Sequence, residues 1–191
     1  LGLAFDFEWT NKTLFHGQYK RTASFFANSE MAASGLPGPL EMAVLEPLRA
    51  QVPPAVFTTP FTPPATEGDG NVRANLRAAM RLLEEAGWRV ENGKLTKDGT
   101  PFSFEILLVQ PQWERIALPF ARNLERLGIE ARVRVVDSAQ YKNRTDQYDF
   151  DMAVQVWGQS QSPGNEQASF WGSASADAVG GQNLSLIHIS Q

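Results

Sequence analysis

From Phe102 to Val156 the spacing of hydrophobic positions switches between two periods, and that switching predicts the fold. Phe102, Phe104, Ile106 and Leu108 alternate with Ser103 and Glu105, the twofold period of a strand. From about Gln112 to Leu127 the period lengthens to that of a helix burying Ile116, Phe120, Leu124 and Leu127. Pro119 lies inside this helix, removes one backbone bond and is expected to kink it, and Gly128 ends it. Ile129, Ala131, Val133 and Val135 then alternate with Glu130, Arg132 and Arg134, a second strand with one solvated face. A shorter helix, about Ser138 to Arg144, leads to a third strand. There Phe150, Met152, Val154 and Val156 alternate with Asp151, Ala153 and Gln155. Helical crossovers of this length favour parallel pairing. The expected class is α/β, a mostly parallel sheet with flanking helices.

Upstream, Val72, Leu76, Met80 and Leu83 repeat at helical spacing, with Asn71 as a possible cap and Gly87 as the left-handed terminator. Trp88 to Thr100 reads as a small hairpin with turn signals at Asn92-Gly93 and Asp98-Gly99. Leu3, Phe7, Leu14 and Phe15 predict a helix end, a turn near Trp9-Thr10-Asn11 and a second short helix capped by Asn11. Between Ala27 and Gly70 the chain is proline-rich and interrupted by one helix from about Leu40 to Arg49. A stretch this long and irregular is expected to wrap a larger partner. The expected division is a helix and wrapping segment over 1–70, an α/β core over 71–183, and a tail over 184–191. That tail, Leu184-Ser-Leu-Ile-His-Ile-Ser190 and onward, resembles the translation of a transposase-recognition end used in sequencing libraries. It is expected to be non-native, with a natural terminal strand as the alternative. Leu1 is not an initiator methionine, so any signal segment is expected to lie outside this piece.

Composition narrows the function classes. A chain of 191 residues that is 42% hydrophobic can bury one core. A net charge of -4 and scattered basic residues argue against a nucleic-acid partner. No apolar run reaches the length of a membrane span. Without cysteine there is no disulfide framework and no thiolate metal site.

Catalytic patterns are thin. His16 sits near a helix end and His188 in the suspect tail, and neither a nucleophile elbow nor a phosphate loop occurs. Asp146, Asp149 and Asp151 fail the calcium-loop pattern, because Tyr148 and Phe150 take ligand positions and Trp157 replaces the closing glutamate. An acid/base pair from Asp151 and Glu166 has nothing to position it. An enzyme is not expected, nor a cofactor or metal.

Binding has more support. The first strand empties into Gln110-Pro111-Gln112-Trp113, the second into Asp137-Ser138, and the third into Trp157-Gly158 and the polar residues after them. If the strands are parallel these exits share one edge, where ligands of open α/β sheets sit. Amides and indoles with little formal charge suit a peptide-like ligand. The alternative is that Trp113 and Trp157 are core packing; Gly158, directly after Trp157, favours close backbone approach there.

Several ordered segments carry a family resemblance. They are Leu1-Gly-Leu-Ala-Phe-Asp-Phe-Glu-Trp-Thr-Asn11, Leu82-Leu-Glu-Glu-Ala-Gly-Trp88, Leu124-Glu-Arg-Leu-Gly-Ile129 and Tyr148-Asp-Phe-Asp-Met152. Trp157-Gly-Gln-Ser-Gln-Ser-Pro-Gly-Asn-Glu-Gln167 and Phe170-Trp-Gly-Ser173 continue the series. In these the chain resembles the bacterial extracellular solute-binding proteins of family 5, oligopeptide- and dipeptide-binding components of ATP-driven (ABC) importers, and most of all their YejA-like branch. The resemblance implies a periplasmic-binding-protein-like (type II) lobe, incomplete here, with the N-terminal lobe missing. It also implies a periplasmic location, an ABC permease in the inner membrane as partner, and a peptide held between the lobes. Carried over by position, Val156, Trp157, Gly158 and Gln159 face the peptide backbone, with Gln110 and Trp113 on the same edge. Members of the family often hold the peptide's amino terminus with an aspartate three residues after that tryptophan. Here the position is Ser160, so Glu166 is the candidate substitute, or the ligand differs. A receptor for a sugar or metal chelate, and more remotely a hydrolase, are the rivals.

Overall fold

A computed structural model describes residues 1–24, 26, 27, 29–158, 160 and 162–184. Helix α1 spans Phe7–Leu14. It starts at Asp6, whose carboxylate accepts the Trp9 N–H at 3.1 Å and so satisfies a donor the helix itself leaves open. Trp9, Thr10 and Asn11 therefore lie inside one helix, with no turn between them and no second cap. Asn11 is spent elsewhere: its amide donates to the Tyr19 carbonyl at 2.6 Å and accepts the Tyr19 N–H at 3.0 Å. Helix α2 (Pro39–Leu45) and the one-turn α3 (Ala55–Thr58) interrupt the proline-rich stretch. Pro39 occupies the first helical position, where a missing N–H costs nothing.

Helix α4 (Arg73–Glu85) buries Leu76 and Ala79 and ends at Gly87, φ +90°. Asn71 lies just ahead of it and accepts the Arg73 N–H at 3.3 Å. Strands β1 (Arg89–Glu91), β2 (Lys94–Lys97) and β3 (Thr100–Pro101) form an antiparallel meander. Both turn pairs, Asn92-Gly93 and Asp98-Gly99, sit at positive φ throughout, which turns one expected hairpin into two.

The remaining elements are β4 (Ser103–Leu108), α5 (Glu114–Glu125), β5 (Glu130–Val135), α6 (Ser138–Asp146), β6 (Met152–Ala153), α7 (Glu166–Trp171) and α8 (Ser173–Ala176). Helix α5 runs through Pro119. The sheet order is β5–β4–β6 and both pairings are parallel, as the helical crossovers require. Helix α5 covers one face: Ile106 and Leu108 pack with Ala117, Phe120 and Trp113. A second buried cluster joins Ala4, Val72, Leu76, Leu95, Leu124 and Ile129. It welds the first residues, α4, the meander and the end of α5 into one body.

The opposite face of β4 carries Glu105 and Leu107, and Leu107 is fully buried as well. Helix α6 supplies Arg144 to this face. Its guanidinium donates to Glu105 at 2.6 Å and to the Asp149 carboxylate at 2.9 Å, which holds Arg144 even further above its ordinary pKa, chiefly through the Glu105 bond. The Asp151 carboxylate accepts the Glu105 N–H at 2.9 Å, and Arg134 donates to the Glu105 carboxylate at 3.4 Å. Arg144 is only 16% exposed, so its loss leaves a poorly solvated Glu105 behind. Arg144→Ala is expected to lower stability by about 1–3 kcal/mol in urea unfolding, and Arg144→Lys to restore little because lysine lacks the fork. An unchanged unfolding midpoint in Arg144→Ala would remove the network from the account of this face.

Candidate functional site at the strand exits

Parallel pairing sends all three strands out at one edge. The Val136 N–H still donates to the Leu108 carbonyl at 2.9 Å, one step past the last strand pair. Leu108 pairs with Val135 and Leu107 with Ala153. One further step of the β4–β5 register sets Gln110 level with Asp137. The β6 pairing ends at Ala153, and the segment that leads on to Trp157 leaves the sheet at the same edge.

Local chemistry then decides what each residue presents. The Gln110 side chain accepts from Gln112 at 2.8 Å, and its carbonyl accepts the Trp113 N–H at 3.1 Å, opening the turn into α5. Trp113 is half-buried against Ile106, Leu108 and Ala117 and serves packing here. Asp137 caps α6 by accepting the Gln140 N–H at 2.8 Å. From the same helix the Tyr141 hydroxyl donates to the Val154 carbonyl at 2.7 Å and pins the outgoing strand. Burial raises the Tyr141 pKa above its ordinary value, so the phenol stays a donor.

Past that pin the backbone of residues 154–158 belongs to neither helix nor strand. Val156 is 79% exposed, and space is open around Gly158. Trp157 turns the other way. Its ring lies 5.1 Å from Phe170 at 74° and 5.2 Å from Trp171 at 35°, both on α7. This aromatic trio backs the exposed shelf. Gln159 falls outside the described residues, as do 185–191 and with them most of the expected non-native tail.

Ser160 and Glu166 come together. The Ser160 hydroxyl lies 3.3 Å from the Glu166 carboxylate, which also accepts the Gly164 N–H at 2.8 Å and the Gln167 amide at 3.4 Å. These bonds, the Gly164 N–H first, hold the Glu166 carboxyl below the usual carboxylate range. Glu166 is therefore ionised at neutral pH and places a negative charge beside Ser160.

The shelf offers exposed main chain, an aromatic backing and one carboxylate. The Asp151 carboxylate accepts the Glu105 N–H and the Glu166 carboxylate the Gly164 N–H, so each is held by the backbone beside it. Among the described residues no group of three or more histidines and carboxylates could hold a metal ion, and no helix is long and apolar enough to cross a membrane. Phe170 and Trp171 were not expected at this site. Only their adjacency, on a helix that follows the rim residues closely, hinted at it.

The model of the bacterial extracellular solute-binding proteins, family 5 Middle, matches residues 1–178. The chain is 45% identical to the probable peptide-binding protein YejA of Agrobacterium fabrum over 98% of its own length and 31% of that protein's. Among solved structures it is similar to the oligopeptide-binding protein AppA of Bacillus subtilis in complex with a nonapeptide. That likeness has a TM-score of 0.65, with 20% identity over 96% of this chain and 31% of AppA. It is also similar to NikA of Brucella suis in complex with Fe(III)-EDTA, with a TM-score of 0.62 and 21% identity over 97% of this chain and 31% of NikA. At these identities the two structures establish the fold, that of one part of a periplasmic binding protein. The chain spans 28% to 31% of the length of the first curated relatives it matches. It belongs to the bacterial extracellular solute-binding proteins of family 5, in the company of the YejA proteins.

Proposed function

We propose that the chain is the portion of a peptide-capturing importer component that presents one half of the binding surface, and that the remainder of the same polypeptide supplies the other half. The observation that carries this is the open backbone from Gln155 to Gly158 at the rim, backed by Trp157, Phe170 and Trp171. Free main-chain groups on a sheet edge recognise an extended peptide irrespective of its sequence, and an aromatic wall adds apolar contact. The peptide named with AppA and the description of YejA as a probable peptide-binding protein support the same ligand class. In this reading Val156, Trp157, Gly158, Gln159 and Ser160 meet the peptide backbone, and Gln110 and Trp113 border them. Glu166 attracts the peptide's ammonium group. Binding draws the two halves together in the periplasm, and the closed form delivers the ligand to an ABC permease.

The test is calorimetric titration of the full-length protein with short peptides carrying free or acetylated amino termini. Free-amine peptides are expected to bind, acetylated ones to bind about tenfold more weakly, and Glu166→Gln to erase that difference. Absence of heat with every peptide would overturn the reading. If a metal chelate bound instead, the second reading would take its place; it draws on the Fe(III)-EDTA held by NikA on the same fold.

A further inference from the structure

Residues 11–67 form an arm with no interior of its own. Among the described residues from Asn11 to Glu67 none is buried. The arm is nevertheless closed at its neck. Thr66 donates its N–H to Glu8 at 3.0 Å and its hydroxyl to Asp6 at 2.6 Å, Asn75 donates to the Ala65 carbonyl at 3.2 Å, and Arg21 donates to the Pro64 carbonyl. The chain thus leaves the core at α1 and returns to the same place.

What the arm shows to solvent is apolar. Leu40 is 87% exposed, Val44 68% and Phe61 72%, and Leu36 and Leu48 are exposed beside them. Leu40 and Val44 lie one turn apart on α2, and Leu48 closes the 3-10 turn (Glu46–Leu48) that continues it, so the three exposed side chains follow one another along one helical stretch. Charge is scarce: residues 22–66 contain only Glu30, Glu41, Glu46 and Arg49. Glu41 is occupied with the Gly38 N–H, and Glu46 pairs with Arg49. A contiguous uncharged stripe of this kind is rarely left in water.

We infer that the Leu40–Val44–Leu48 stripe is a permanent intramolecular interface, covered in the full-length protein by the part of the polypeptide that lies outside this chain. The inference rests on the reading of the chain as one portion of a longer solute-binding polypeptide. Its relatives are more than three times as long, so ample chain exists to cover the stripe. The near absence of charge separates this occupant from a permease, because interfaces that form and part repeatedly are more polar than permanent ones. Covalent linkage separates it from a second copy, since a tethered partner competes at millimolar effective concentration.

Leu40→Cys and Val44→Cys, introduced singly into the full-length protein, test the inference by maleimide labelling read site by site by mass spectrometry. Both changes keep a small apolar side chain, so folding is retained. Labelling is expected to be at least about tenfold slower in the native protein than after urea unfolding, independent of protein concentration and without any membrane fraction. Near-unfolded labelling rates overturn the inference. So does protection that grows with protein concentration, which marks a second copy, or that needs permease-containing membranes. Peptide titration of the same samples keeps the two readings apart. Slow labelling without peptide binding sinks only the proposed function, and fast labelling with binding sinks only the arm interface.

Discussion

Trp157→Ala in the full-length protein is expected to weaken peptide binding by roughly 30-fold, about 2 kcal/mol. Two losses combine. The indole is the centre of the trio with Phe170 and Trp171, so truncation removes the apolar wall behind the shelf. It also loosens α7, the helix that carries Glu166 at its start. Trp157→Phe keeps a ring in the stack and is expected to stay within about fivefold of wild type. Calorimetric titration of both variants, with circular dichroism confirming that each is folded, reads the difference. Wild-type affinity in Trp157→Ala would reduce the trio to packing and leave the rim without its anchor.

Gly128→Ala is expected to lower stability by about 3 kcal/mol in urea unfolding. Gly128 sits at φ +79°, where a side chain alone costs about 1 kcal/mol. A Cβ there would also lie 2.7 Å from the Leu95 nitrogen and 3.1 Å from the Lys94 carbonyl carbon, both main-chain atoms. Those atoms cannot retreat, because the Leu95 N–H donates to the Gly128 carbonyl at 2.8 Å and its carbonyl accepts the Phe102 N–H at 2.7 Å. That stitch holds the meander on the α5–β5 corner. Gly87 provides the comparison: its φ is +90°, but the nearest atom to an added Cβ is the flexible Lys97 Cε at 3.4 Å. Gly87→Ala is therefore expected to cost about 1 kcal/mol. If the two variants unfold alike, backbone crowding is not what selects glycine at 128.

The strand–helix–strand run was legible in the sequence because each of its elements has a strong period and a terminal glycine or cap, and both pairings came out parallel. What needed the folded chain was whatever depends on distant partners. Asn11 and Asp6 are both good caps, and only the docking of Tyr19 on Asn11 separates them. The alternation from Phe150 to Val156 shrinks to the two-residue β6, since a strand extends only as far as a neighbour pairs with it, and β4 offers Ile106 and Leu107 alone. Leu107 is buried on the face where the β4 pattern predicts solvent, the face to which α6 supplies Arg144. At the candidate site the exits could be located from strand ends. Trp157, by contrast, owes its orientation to Phe170 and Trp171, which reach it only after the polar loop folds back. The pairing of Ser160 with Glu166 depends on the same return.

The clasp of Asp6 and Glu8 on Thr66 has a consequence for how such proteins diversify. A detour whose entrance and exit coincide can grow, shrink or change its surface without shifting the registers beneath it, and added length costs little closure entropy. Selection can thus retune the apolar surface of the arm while the strand registers and the rim they carry stay untouched.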